Sequence, residues 1–157
     1  MSLTERLQFA HEARAWKGEI PLQNRYTMGL AGERFFREIK DNGKLYATYC
    51  PECDYTYMPP RAYCERCFCE LTEWVEVPSQ GTVYAYTVVY QDLEEKPLAT
   101  PQIVALIEME GCDGVFVHLL GGLDPDDVCI GMPVQAVFKS KARRTGEITD
   151  IAYFRPM

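Results

Sequence analysis

Histidine is scarce in this chain: His11 and His118 are the only two among 157 residues. No other side chain titrates near neutral pH without help from its surroundings, so general acid–base catalysis has little to draw on. A Gly-x-Ser-x-Gly nucleophile elbow and a phosphate-cradling glycine loop are also missing. No apolar stretch approaches the ~20 residues that span a bilayer. Met1-Ser2-Leu3-Thr4-Glu5-Arg6 runs into an amphipathic pattern rather than an export signal, so a cytoplasmic location is expected. Cations are in the minority, with 16 Lys and Arg against 23 Asp and Glu and a formal charge of -7. Such a chain repels phosphate backbones unless its cations gather on one face, which argues against general nucleic-acid binding.

Cysteine, by contrast, is plentiful: 7 residues, an odd number, with no export signal to favour disulfides. Four of them stand in the pattern Cys50-x2-Cys53-x10-Cys64-x2-Cys67. Each x2 spacing lets two thiolates turn back toward one point, and two such knuckles supply the closed tetrahedral set of a structural Zn2+. The spacer Asp54 to Tyr63 has room for a short hairpin. With four sulfur ligands no position stays open for water or substrate. Four thiolates and one Zn2+ take the formal charge to about -9. The position after each second cysteine needs a tight left-handed turn, which suits glycine, but Asp54 and Phe68 stand there. Asp tolerates that turn better than Phe, so strain is expected in the second knuckle. Cys69, two residues past Cys67, is an alternative ligand.

Three regions follow. Residues 1–43 read as helical: Leu3, Leu7, Ala10, Ala13 and Trp16 form one stripe behind a Ser2/Glu5 capping box, and Ile20-Pro21 ends it. A second helix over about Leu30 to Asp41 places Leu30, Phe35, Phe36 and Ile39 largely on one side, and Asn42-Gly43 closes it. Residues 44–77 hold the cysteine knuckles, with Met58-Pro59-Pro60-Arg61 extended between them. Residues 78–157 carry five strands: Thr82–Gln91, Gln102–Met109, Gly114–Leu120, Pro133–Lys141 and Glu147–Phe154. Gly111 to Gly114 and Arg144 to Gly146 read as hairpin turns, and Asp124-Pro125 as an N-cap opening a short helical turn. Strict alternation puts Tyr84, Tyr86, Val88 and Tyr90 on one face. The predicted fold class is mainly β with N-terminal helices: a rubredoxin-like zinc ribbon, then a five-stranded barrel of the OB type.

The order of these features resembles a known family. Gly43-Lys44-Leu45, Cys-x-x-Cys, Pro59-Pro60-Arg61 and a second Cys-x-x-Cys precede a barrel carrying Gly81-Thr82-Val83, Pro101-Gln102-Ile103-Val104-Ala105, Ile130-Gly131-Met132-Pro133-Val134 and Phe154-Arg155-Pro156. Over about residues 29 to 157 this is similar to the acyl-CoA-associated zinc-ribbon/OB-fold family, long called a domain of unknown function. The resemblance implies an accessory subunit that partners a thiolase-superfamily enzyme, an aldolase or an acyl-CoA hydratase in a hetero-oligomer. It carries the metal ligands onto Cys50, Cys53, Cys64 and Cys67, and it implies acyl-CoA shared with the partner. No family CoA contact maps onto a residue here. The departures at Asp54 and Phe68 bear on knuckle geometry.

No catalytic residue is assigned. His118 shares a strand face with Phe116 and Leu120 and reads as structural. Cys112 sits beside Asp113, whose charge opposes a thiolate, and Cys129, between Val128 and Ile130, reads as buried. Lys139, Lys141, Arg143 and Arg144 cluster near the fourth strand and are the candidates for contact with CoA phosphates. The segment Asp92 to Thr100 reads as an irregular loop that borders such a ligand. Other readings compete: a single-strand nucleic-acid module stacking bases on Tyr84, Tyr86 and Tyr90, a rubredoxin-like iron site, and an acyl-CoA hydratase or lyase.

Overall fold

The computed structural model describes residues 27–157, so the expected first helix, its expected capping box and His11 lie outside the described residues. Helix α1 spans Gly29–Asn42. It stops at Gly43, whose φ of 65° and ψ of 35° are left-handed, with its N–H returned to the carbonyls of Glu38 and Ile39. Phe35 and Ile39 are buried and Phe36 packs partly beside them. Leu30 departs from the expected stripe: it is 86% exposed at the helix start.

Strand β1 (Leu45–Cys50) lies between β2 (Tyr55–Tyr57) and β3 (Glu73–Val77) in an antiparallel sheet. Leu45 and Ala47 of β1 turn inward and join Val77 in the main core. Cys50, at the far end of the same strand, packs with Tyr57, Cys64 and Leu71 in a second small cluster. One strand thus runs from the hydrophobic core to the sulfur site.

Strands β4 (Gln80–Gln91), β5 (Pro97–Met109), β6 (Phe116–Leu120), β7 (Pro133–Phe138) and β8 (Ile151–Pro156) close a barrel in the order β4-β5-β6-β8-β7, with β7 returning to β4. All pairs are antiparallel except β6 with β8, which meet in parallel at Leu120 and Phe154. This is the five-stranded OB arrangement. Ile103, Ala105, Ile107 and Met109 alternate inward from β5 and fill the barrel against Phe116, Leu120, Val134, Ile151 and Phe154. Gly81 is required at the β4–β5 contact, where a Cβ would come within 2.5 Å of the Glu108 carbonyl oxygen.

Three expectations change. The predicted loop Asp92 to Thr100 is shorter than expected, because β5 begins at Pro97; Asp92 to Lys96 remain as a tip, closed by the Asp92 N–H on the Lys96 carbonyl at 2.9 Å. β7 ends at Phe138, and the expected tight hairpin is a longer connection containing two 3-10 turns. Finally, β4 breaks its alternation: the register slips between Val83 and Ala85 and again between Val89 and Gln91. Tyr84 and Tyr90 occupy these bulges, while Tyr86 pairs with Ala105. All three tyrosines are exposed, but the bulges break the strict alternation that had placed them on one face.

Ribbon and barrel are joined at the β5–β6 turn. The Asp113 carboxylate accepts the Thr56 N–H at 2.8 Å, and the Asp113 N–H donates to the Thr56 carbonyl at 2.9 Å.

Candidate metal centre

β1 delivers Cys50 at its last residue, and the turn into β2 carries Cys53. Cys64 and Cys67 come from a small hairpin in which Tyr63 bridges Glu70 and the Leu71 N–H donates to the Ala62 carbonyl at 2.8 Å. Thr48, wholly buried, fixes the intervening segment: its hydroxyl accepts the Arg61 N–H at 2.9 Å and donates to the Arg61 carbonyl at 3.1 Å.

The four sulfurs of Cys50, Cys53, Cys64 and Cys67 lie within 4.8 Å of one another. Cys50 and Cys67 are 3.6 Å apart, and Cys53 and Cys64 are 3.8 Å apart. A tetrahedral zinc with bonds near 2.3 Å needs sulfur–sulfur edges of about 3.8 Å, so these residues fit the ion. Cys50 and Cys64 are fully buried and Cys67 is exposed, so the site has an inner and an outer edge.

The surroundings favour sulfur anions at selected corners. At Cys64 burial opposes ionisation most strongly, but the Tyr57 hydroxyl at 3.2 Å and nearby backbone N–H groups outweigh it and lower the thiol to about 5. The same hydrogen bond, with burial, pushes the Tyr57 phenol up to about 12. Cys67 is lowered chiefly by the Cys69 backbone N–H. Cys53 is pushed up to about 12, first by its hydrogen bond with Cys67 and then by burial.

Both residues in the glycine-type positions adopt the left-handed turn, Asp54 at φ 48° and Phe68 at φ 60°. Asp54 gains a compensating contact, accepting the Tyr49 hydroxyl at 2.8 Å. Phe68 points outward and is 79% exposed. The expected strain is therefore concentrated in the second knuckle.

The basic cluster does not act as one group. Arg144 turns back toward α1: its Nε donates to the Lys139 carbonyl at 2.8 Å, and its guanidinium lies 3.4 Å from the Ile39 carbonyl and against Gly43. Lys139 reaches the Thr149 hydroxyl at 3.3 Å, and Lys141 and Arg143 stay exposed on the 3-10 turn. Asp150 organises this connection. It is fully buried and accepts the N–H groups of Thr145, Gly146 and Glu147 at 2.9, 2.7 and 3.3 Å. Burial alone raises its pKa, but those donors outweigh burial and hold the carboxyl below its ordinary value.

Among the remaining candidates, Cys112 is half-buried, and burial, with Asp113 adding, pushes its thiol up to about 11. That suits a packed residue, not a nucleophile. Cys129 is exposed, contrary to expectation. Its neighbour Val128 enters the core while Ile130 also faces solvent, so flanking hydrophobicity misled. His118 is buried against Phe116 and Phe154, and burial lowers its pKa. Sequence reasoning missed the Asp113 clamp and the Asp150 anchor. The acid that ends a glycine-flanked turn, and the acid that opens a strand, were the available signals.

Comparison with known proteins agrees with this architecture. Residues 37–69 match the family model described as "ChsH2, rubredoxin-like zinc ribbon domain", and residues 74–139 match "ChsH2, C-terminal OB-fold domain". A DUF35 domain-containing scaffold protein of Methanocaldococcus jannaschii is 32% identical over 129 residues, covering 79% of this chain and 89% of that protein. A probable enoyl-CoA hydratase alpha subunit of Thermomonospora curvata is 30% identical over 100 residues, or 64% of this chain but 31% of that longer protein. A solved structure described as "Ltp2-ChsH2(DUF35) aldolase" superposes with a TM-score of 0.62 at 26% identity, over 84% of this chain and 98% of that one. With its ribbon, its barrel and these relatives in agreement, the chain belongs to the DUF35 family of zinc-ribbon/OB-fold proteins.

Proposed function

We propose that this chain is a non-catalytic scaffold subunit that docks on a thiolase-superfamily enzyme acting on acyl-CoA, in 3-oxoacyl-CoA thiolysis or a related carbon–carbon bond reaction. The observation that carries the reading is the sulfur-only centre of Cys50, Cys53, Cys64 and Cys67. Zinc held there has no open position, so it shapes the ribbon and leaves chemistry to another polypeptide. The relatives' names, a scaffold protein, an aldolase and an enoyl-CoA hydratase subunit, support a scaffold role beside an enzyme, while the thiolase-superfamily assignment of that enzyme rests on the resemblance in sequence. In this reading residues 44–77 are the metal-holding unit and 78–157 the docking unit.

The barrel offers an apolar landing surface. Leu106 pairs with Val117 and Val104 with Leu119 on the outward side of β5 and β6, and Val117 is 57% exposed. Of the basic cluster, Lys141 and Arg143 are exposed and Lys139 lies beside them, and these are the cations offered to a CoA phosphate at the edge of the partner's site. Capture of the tagged full-length chain from its own cells, followed by mass spectrometry, tests the proposal. A larger acyl-CoA enzyme in fixed stoichiometry, and no thioester turnover by the chain alone, are the expected results. Recovery as a lone monomer, or unaided turnover, overturns it.

A further inference from the structure

The sulfur cluster holds one thiol too many for a tetrahedral ion. The Cys69 sulfur lies 3.5 Å from that of Cys50 and 3.3 Å from that of Cys67. Together with the Cys50–Cys67 distance of 3.6 Å, these make a nearly equilateral triangle of sulfurs built on one edge of the four-cysteine set. Its place is fixed by the backbone. The Cys64 N–H donates to the Cys69 carbonyl at 2.9 Å, so a residue of the ligand set itself holds Cys69 beside the site. The Tyr63–Glu70 bridge returns the chain across the second knuckle and does the same from the next residue. Cys67 and Cys69 also differ in shelter: Cys67 is exposed and Cys69 half-buried.

We propose that Cys69 is an alternative fourth ligand, taking the position of Cys67 at the metal so that the ribbon keeps its ion when Cys67 is lost or modified. The inference rests on the zinc-holding role proposed above for this centre. The exchange is redox-neutral. The Cys67–metal bond breaks, the Cys69–metal bond forms, and the thiol proton of Cys69 passes to the Cys67 sulfur in contact with it. Cys50 belongs to both arrangements, and Cys53 and Cys64 anchor the opposite edge; Cys69 stands outside the set of four sulfurs within 4.8 Å of one another, so the exchange requires its sulfur to swing inward toward Cys53 and Cys64. The strained Phe68 lies between the exchanging pair, and Cys67 and Cys69 act as one tongue offering a single sulfur at a time.

The test uses the full chain and its Cys67→Ser, Cys69→Ser, Cys53→Ser and Cys67→Ser/Cys69→Ser variants, with zinc stoichiometry, competition against a chromophoric chelator, and cobalt(II) substitution to read thiolate-to-metal charge transfer. Wild-type protein, C67S and C69S are each expected to hold one ion with four-thiolate cobalt spectra. C53S and the double variant are expected to lose at least about a hundredfold in affinity, the scale of removing one ligand's share of a structural zinc site. Loss of the ion by C67S to the same extent as by the double variant overturns the proposal while leaving the zinc site standing. A metal-free wild type overturns both. Should a variant not fold, alkylation of zinc-loaded wild type with N-ethylmaleimide decides the matter. Separate populations modified at Cys67 and at Cys69, each retaining zinc, support exchange; modification of Cys69 alone overturns it.

Discussion

Replacing Phe68 with glycine should make this protein slightly more stable, although it deletes an aromatic side chain. An L-residue in the left-handed region costs about 1–2 kcal/mol, and Phe68 sits there at φ 60°. Glycine removes that cost but gives back ~0.5–1 kcal/mol through its greater freedom in the unfolded chain. The ring is 79% exposed. Truncating it therefore forfeits only about 0.5 kcal/mol, a fifth of what full burial is worth. The balance is a small gain of about 0.25 kcal/mol. Asp54→Gly is the internal control. Asp tolerates φ 48° at lower cost, and the substitution also removes the 2.8 Å hydrogen bond from the Tyr49 hydroxyl, so a net loss of about 0.5–1 kcal/mol is expected. The two variants should differ by roughly 1 kcal/mol in urea unfolding at fixed free zinc, with F68G the more stable. Because folding and metal binding are linked, zinc affinity should separate in the same order by about fivefold. An F68G protein more than about 1 kcal/mol below wild type, or a D54G protein above it, refutes the account of the knuckles.

Further outcomes follow from the barrel. Asp150→Asn should cost about 2–3 kcal/mol, because an amide cannot accept all three N–H groups that the carboxylate holds. Asp150 has a folded-state pKa below its unfolded value, so its contribution is full above about pH 4 and is lost as pH falls through the lowered native value. D150N should accordingly flatten acid unfolding below pH 4, and an unchanged acid limb counts against this role. Gly81→Ala places a Cβ 2.5 Å from the Glu108 carbonyl oxygen and should lower stability by about 1–3 kcal/mol in the same urea assay. Lys141→Glu with Arg143→Glu should weaken CoA-dependent association with the captured partner while leaving the melting temperature unchanged. Arg144→Ala should do the reverse, because its guanidinium supports the end of α1.

The features legible in the sequence are those decided by near neighbours. The Cys-x-x-Cys spacing confines two sulfurs to one turn, Gly43 ends a helix by its own backbone freedom, and Asp124 caps the N–H of Asp126 two residues on. What stayed hidden depends on partners distant in the chain. The bulges at Tyr84 and Tyr90 arise from register with β5, which alternation within β4 cannot report. Arg144 looked like a free cation because the Ile39 carbonyl it approaches lies 105 positions away. Cys129 shows the same limit: neighbours in sequence do not decide which side of a loop faces the core. Cys69 was visible as a nearby thiol, but its contact with both Cys50 and Cys67 needed the folded hairpin.

The most direct test of the central claim is amide NMR of the full chain, with its metal content measured before and after a high-affinity chelator. One zinc per chain is expected, and its removal should collapse the resonances of residues 45–77 while those of the barrel strands persist. A metal-free protein with the ribbon spectrum unchanged would contradict the claim that sulfur-bound zinc holds this segment together.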